Sequence, residues 1–540
     1  MRVLKAPSWV VPGQRRRTAD QPAAAVRRVR WPVVGALLAI ATLAVLVRTW
    51  QLDSFGFNSD EAVYAGQAAS LAGNPRYTPH FPVFRAHPML VQAVLSPFFR
   101  TGEADLVGRL VVAAFGVGTV LAVYPLGTRL YGRRVGLVAA LLLAVMPYHA
   151  TVTRQVLLDG PMLFFSTLTL YCLVRYVQRQ QLLWYVATAA MLGLTMLAKE
   201  TSVVLASSVY AFLALTPAVR RPIRATFFAL PVLAVVFAVH PLSQALAGRS
   251  STGRNYLVWQ LFRRPNHPPE FYLRTVPVAM GLLLVAAAVV ALVWSARRWT
   301  WRETLLLSWI AVPVLFFQLW PVKGFQYLLP VAIPMVLLAG RALVAVPAPT
   351  RLRRPGWLSW PGWLRRSVGG GPVRGVRVAL VAVVVLSLAV PCWKVVSPPG
   401  GTTFLAGSGG VPGGREVGRW LMANTPEGAV ILTLGPSMAN IVRYYGHRES
   451  YGLSVSPNPL HRNPSYVPLN NPDNRLRSND LHYVVWDSFS AGRSEFFAQR
   501  LMILVRRYHG RVVHTEYVDQ PDSSGRPVPV PVIVVYEVRP

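Results

Sequence analysis

Residues 106–128 read LVGRLVVAAFGVGTVLAVYPLGT, a run in which Arg109 is the sole charge. As a helix rising 1.5 Å per residue it would be about 34 Å long, enough to cross a hydrocarbon core of about 30 Å. Comparable runs recur outward from it, at approximately 32–50, 135–152, 157–175, 182–198, 201–218, 225–242, 275–294, 304–321, 325–343 and 378–396. The pattern is that of a polytopic α-helical membrane protein with about eleven transmembrane helices. Composition agrees: of 540 residues 53% are hydrophobic and 14% charged, and mean hydropathy is +0.38. A soluble protein is excluded.

The net charge of +34 would suit nucleic acid, but the basic excess sits in short loops between apolar runs, which is how cytoplasmic loops read. With the N-terminus inside, the tail and cytoplasmic loops collect about 26 Lys and Arg, and the opposite loops about 11. Arg133, Arg134, Arg220, Arg221, Arg297, Arg298, Arg353, Arg354, Arg365 and Arg366 fall on the inner side. The expected location is the cytoplasmic membrane, multi-pass, without nucleic-acid binding. The two cysteines, Cys172 and Cys392, lie in apolar runs, so neither a disulfide framework nor a CxxC metal site is available.

Residues 1–31 form an expected disordered basic cytoplasmic tail, residues 32–397 the membrane domain with a long external loop at 51–105, and residues 398–540 an extracytoplasmic domain. That last part opens on a Gly/Pro linker. REVGRWLMAN then patterns as a helix, AVILTL, LHYVVW and PVIVVYEV as strands, and 492–508 as a further helix, giving a small α/β domain.

Five places put chemistry-bearing residues on the external side. FNSDEAVYAGQAASLAG (57–73) carries Asp60 and Glu61 in the first turn of a helix capped by Ser59, with Tyr64 one turn on; either capping or proton acceptance fits them. RQVLLDGPMLFF (154–165) opens the fourth span with Asp159, and Arg154 precedes it. FRAHPML (84–90) holds Arg85 and His87. LAKETSVV (197–204) holds Lys199 and Glu200 in a short turn, and PVKGFQYLLP (321–330) holds Lys323 and Tyr327 in another. Each cation alone reads equally as a snorkelling anchor. Both Lys residues run against the positive-inside trend, and together they would rim an external pocket suited to a lipid-linked phosphate.

The succession DEAVYA, an HP step before the second span, R-x4-D-x-P, AKE and K-x3-YLLP resembles glycosyltransferase family 39, membrane enzymes of the C-type glycosyltransferase fold, over about residues 32–345. The resemblance implies inverting transfer of a sugar, mannose-like or a pentose, from a polyprenyl-phosphate donor to a hydroxyl of a lipid, glycan or protein acceptor. It implies no obligatory cofactor, with a divalent metal left open. On it the catalytic residues are Asp60 as general base, Asp159 as the second acid shaping the site, and Glu61 as their acidic neighbour with its own role undecided. Lys199, Lys323, Arg85 and Arg154 are the donor-phosphate side, and His87, Glu200, Tyr327 and Tyr64 line the cavity. The chain has His87, Pro88 and Met89 where the family often has Lys-Pro or His-Pro-Pro, so donor preference does not carry over.

A transporter or lipid flippase is the alternative that eleven spans would also serve, distinguished by whether Asp60 and Asp159 share one external cavity or line a path through the bundle. A third reading gives the C-terminal domain's loop YGLSVSPNPLHRNPSYVPLNNPDNRL (451–476) a contact with the acceptor. High Arg, Ala, Gly and Pro content suits a GC-rich bacterial genome.

Overall fold

The computed structural model describes residues 31–84, 86–219, 223–296, 299–345, 371–397, 412–521 and 524–540. The N-terminal tail, Arg85, the arginines at 220–221, 297–298 and 353–366, and most of the Gly/Pro linker lie outside the described residues.

The membrane part consists of α1 (Trp31–Thr49), α2 (Ser59–Leu71), α3 (Leu90–Leu95), α4 (Asp105–Tyr131), α5 (Arg133–Ala144), α6 (Pro147–Thr153), α7 (Asp159–Arg179), α8 (Leu182–Ala198), α9 (Val203–Leu215), α10 (Ile223–Leu246), α11 (Ser250–Leu261), α12 (Phe271–Met280), α13 (Leu282–Ser295), α14 (Trp301–Leu319), α15 (Ala332–Ala345) and α16 (Gly371–Val396). Every expected span is helical. Among the described residues seven helices are long and apolar enough to cross a membrane, or up to nine when two bent pairs each count as one. The figure of eleven therefore rests on α8 and α9, apolar helices of 17 and 13 residues.

Two expected spans are broken. The run at 135–152 bends by 61° between α5 and α6, where Pro147 starts a new helix. The run at 275–294 bends by 95° between α12 and α13 at Gly281, whose φ of +92° an L side chain rarely adopts. Around these breaks α4 packs on α5 and α7, α7 on α8, α8 on α10, and α13 on α15.

The C-terminal part adds α17 (Gly414–Asn424), α18 (Pro436–Ile441), α19 (Pro472–Arg477), α20 (Ser488–Arg493) and α21 (Glu495–Arg507) to β1 (Val430–Thr433), β2 (Glu449–Gly452), β3 (Tyr483–Asp487), β4 (Arg511–Pro521) and β5 (Pro527–Glu537). The sheet order is β2-β1-β3-β5-β4. The strands β2, β1 and β3 are parallel, and β5 and β4 close the sheet as an antiparallel hairpin. The expected α/β character is present, and α21 lies where a helix was expected, covering the sheet with Leu501, Leu504 and Val505.

This part is seated on the bundle. Val417, Leu421, Met438, Ile441 and Tyr444 belong to the same buried apolar cluster as Phe57, Tyr77 and Leu95 of the segment between α1 and α4. At the rim Arg415 pairs with Asp53 at 2.9 Å and Arg419 with Glu103 at 2.6 Å. Gly56 allows the approach: a Cβ there would stand 2.6 Å from Arg415 Cβ.

Candidate active site

Asn58, not Ser59, caps α2. Its side chain accepts from the Glu61 N–H at 3.0 Å, and Glu61 Oε2 accepts from the Asn58 N–H at 3.0 Å, a reciprocal capping box. Asn58 Nδ2 also donates to Gln155 at 2.7 Å, which ties the start of α2 to the turn before α7.

Glu61 is fully buried and wholly engaged. It accepts from Arg109 Nε and Nη2 at 2.9 and 2.8 Å and from the Val156 N–H at 2.8 Å, besides its part in the cap. Arg109 in turn donates to the carbonyls of Leu52, Phe55 and Gly56. The expected catalytic role for Glu61 is thereby corrected. A carboxylate with every acceptor position occupied holds the loop together and has none left for a substrate.

Asp60, one residue earlier, is half-buried and points elsewhere. Among the described residues no hydrogen bond or ion pair engages its carboxylate. It acts electrostatically on Tyr64, His87, Asp159 and Tyr466, which places these four about it.

Asp159 opens α7 and is buried. Both its oxygens accept from Lys199 Nζ, at 2.8 and 2.7 Å, and the ammonium stands 5.1 Å from the centre of the Tyr327 ring. The extended backbone of Lys199 at the end of α8 lets the side chain turn back onto the neighbouring helix.

His87 Nδ1 lies 3.0 Å from Glu200 Oε2, and the imidazole is edge-on to Tyr64 and Tyr256 at 5.6 and 5.4 Å. Burial disfavours the imidazolium, but the Glu200 carboxylate more than offsets this and raises the His87 pKa. For Glu200 burial opposes ionisation, and His87 and then Lys199 outweigh it and hold the carboxyl down at about 2.

The structure thus brings Asp60, Tyr64, His87, Asp159, Lys199, Glu200 and Tyr327 to one end of the bundle. It does not bring Arg154 or Lys323 with them as free cations. Arg154 donates to the carbonyls of Val47 and Trp50 at 2.7 and 2.6 Å, at the end of α1. Lys323 Nζ donates to those of Gln318 and Trp320 at 3.0 and 3.2 Å, at the end of α14. Both satisfy carbonyls that a helix leaves without partners, which corrects their assignment to the donor phosphate.

Residues 86–243 match the dolichyl-phosphate-mannose-protein mannosyltransferase family. No curated protein matches the sequence. Among solved structures, apo ArnT from Cupriavidus metallidurans is 15% identical with a TM-score of 0.65, covering 94% of this chain and 98% of its own. The same ArnT bound to undecaprenyl phosphate gives a TM-score of 0.62 over the same shares at 15% identity. An Archaeoglobus fulgidus oligosaccharyltransferase tethered to an acceptor peptide gives 0.56 at 15% identity, over 93% of this chain and 74% of its own. This is the C-type glycosyltransferase fold. The resemblance read from the motifs holds, and the C-terminal domain is spanned by the likeness as well.

Within this fold the site also contains residues that the motifs did not indicate. Arg263, just after α11, donates to Gln260 at 3.1 Å and lies over the Trp259 ring, and no carboxylate pairs with it among the described residues. Its charge acts on Tyr256, Tyr327 and Tyr466. Tyr256, Trp259 and Arg263 are spaced three and four residues apart in RNYLVWQLFRR (254–264), one face of a helix in an otherwise polar loop, and that spacing was the available signal. Arg109 had one as well, being the sole charge of the run at 106–128, whereas the C-terminal Tyr445, Tyr466 and Asn440 carried none.

Proposed function

We propose that the chain is an inverting glycosyltransferase that passes a sugar from a polyprenyl-phosphate donor to an acceptor hydroxyl, with Asp60 as general base. One observation carries the reading. Asp60 is the carboxylate of the group left without a partner among the described residues, while Asp159, Glu200 and Glu61 are each matched to a cation.

In a single displacement the acceptor oxygen bonds to the anomeric carbon, its proton goes to Asp60, and the bonding pair leaves with the lipid phosphate through an oxocarbenium-like state. A phosphate leaving group needs charge stabilisation more than protonation. Arg263, which no carboxylate pairs with among the described residues, and His87, whose pKa the Glu200 carboxylate raises, are its proposed source, with Lys199 held against Asp159. That ArnT of the same fold has been solved with undecaprenyl phosphate supports this donor class. Mannose or a pentose is the proposed sugar, and a lipid, glycan or protein supplies the acceptor hydroxyl.

We further propose that the site faces outward from the cytoplasmic membrane, since Arg129, Arg133, Arg134, Arg175 and Arg179 cluster at the end of the bundle away from it. No metal is assigned a part, and millimolar chelator is expected to leave the rate unchanged. The transport reading has no observation in its favour: Asp60 and Asp159 gather at one end instead of along a path.

The test is release of polyprenyl phosphate from a panel of polyprenyl-phosphate sugars by wild type and Asp60→Asn in nanodiscs. Turnover of one donor by wild type and its loss in the folded variant is the expected result; no turnover of any donor, with membrane extract present as acceptor source, would overturn the assignment.

A further inference from the structure

Helix α1 is among those long and apolar enough to cross a membrane, and it lies at the edge of the bundle, with Leu38 and Leu46 exposed. It packs on α4 and α5. Between α1 and α5 runs an open groove of about 350 Å³, walled by Ala36, Ala39, Ile40 and Leu43 of α1 and by Leu137 and Leu141 of α5. That volume falls in the range of ligand sites, roughly 300–1,000 Å³, and every wall residue is apolar.

One end of the groove is charged. Arg134 stands three and seven residues before Leu137 and Leu141, so it continues the same face of α5 by one turn. Helix side chains lean toward the N-terminus, which carries the exposed Arg134 guanidinium past the apolar wall and away from the Asp60 end of the bundle. Gly35 stands at the same end of α1, where a Cβ would meet nothing within 4 Å, and the mouth is open there. The turn from α4 into α5 carries Arg129, Arg133 and Arg134, and no carboxylate pairs with any of them among the described residues. Glu303, an acid at this end, is buried and taken by Arg341 and Tyr131.

The two features divide the recognition of a lipid between them. Lipid chains are as apolar as leucine, so the groove fixes where a chain lies without choosing among lipids. The choice falls to the head group. A phosphodiester beside unpaired arginines gains charge-assisted hydrogen bonds, and a head group of net negative charge keeps that attraction where a choline cation offsets it.

We propose that this groove binds one anionic phospholipid, with an acyl chain laid between α1 and α5 and the phosphate at Arg134. The site lies at the opposite end of the bundle from Asp60 and does not rest on the transferase reading.

The test is native mass spectrometry of the full chain in detergent, with phosphatidylglycerol and phosphatidylcholine of the same acyl chains added in turn. Wild type is expected to retain one phosphatidylglycerol about fivefold more tightly than phosphatidylcholine, the worth of one arginine at a charged lipid surface. Arg134→Gln is expected to remove that preference and to leave phosphatidylcholine binding as it was. Ala39→Phe, which fills the groove from an exposed position, is expected to abolish retention of both lipids without moving the lipid-free unfolding midpoint. Arg179→Gln, at the end of α7, should behave as wild type. Glycerol phosphate, a head group without chains, should leave the bound lipid in place.

A wild type that holds both lipids equally, or holds neither, overturns the proposal. So does an Arg179→Gln variant that loses as much as Arg134→Gln, which marks general attraction to a basic surface, or displacement of the lipid by glycerol phosphate, which leaves the groove no part. An Ala39→Phe variant that keeps its lipid overturns it as well. Should that variant lower the lipid-free midpoint, Arg134→Gln at its exposed position decides alone.

Discussion

Asp60 and Glu61 leave the first turn of α2 about 100° apart, the angle one residue subtends on a helix. That rotation sends Glu61 inward to Arg109 and leaves Asp60 among Tyr64, His87 and Tyr466. The two variants should therefore fail differently. Asp60→Asn is expected to lose about 10²- to 10⁴-fold in donor turnover with thermal unfolding unchanged. Arg109→Met strands a buried carboxylate and is expected to destabilise the protein by about 3–5 kcal/mol, seen as a lower unfolding midpoint in detergent. The His87–Glu200 pair adds a pH dependence. His87 is raised, so its contribution is complete below an unfolded value of about 6.5 and fades as pH climbs through its higher folded value. Glu200 is held at about 2 against an ordinary 4.5, so its share is complete above 4.5 and fades toward 2. Glu200→Gln should thus lower the unfolding temperature most between about pH 4.5 and 6.5, and progressively less on the alkaline side.

The lead into α2 is built from contacts that come from three parts of the chain. Asn58 joins it to Gln155, Arg109 gathers the carbonyls of Leu52, Phe55 and Gly56, and the Phe57 N–H donates to Tyr445 Oη at 2.7 Å. Tyr445 in turn donates to Asp105, the first residue of α4. Removing that hydroxyl leaves a buried N–H and a buried carboxylate each short of a partner. Tyr445→Phe is accordingly expected to cost about 1–3 kcal/mol and to lower kcat with little change in donor KM, as measured by unfolding and by lipid-phosphate release. At this scale much was legible in the sequence, since apolar period and turn residues are local signals. The helices of the eleven runs, α2, α17, α21 and strands β1, β3 and β5 all lie where patterning put them. What escaped it was decided by partners far along the chain. Asn58 won the cap over Ser59 because Gln155 holds it, and Arg154 and Lys323 were taken up by carbonyls that no spacing rule places near them. The bends at Pro147 and Gly281 had a residue signal, but apolar run length alone reads straight through them.

The bundle and the C-terminal domain share one buried apolar cluster, so neither is a complete core without the other. Truncation before residue 400 would expose Phe57, Tyr77 and Phe81, which Tyr444 and Tyr445 now cover. Donor turnover and stability are expected to fall together in that truncation, whereas Arg419→Ser at the rim should cost under about 1 kcal/mol and matter less in high salt. The candidate site was half legible for the same reason. Asp60, His87, Asp159, Lys199 and Glu200 stand out because charge is rare beside apolar runs, but in a soluble-type domain Tyr466 and Asn440 look like any others. The ion pairs of the site also govern what is admitted. Lys199 and His87 each face a carboxylate and Arg263 does not, among the described residues, so a free anion drifting in from solution meets one open cation and must otherwise evict a partner already stripped of water. A phosphate tethered in the bilayer is confined to a thin layer around the protein, at a local concentration no dissolved anion matches, and can hold the contest open long enough to win it.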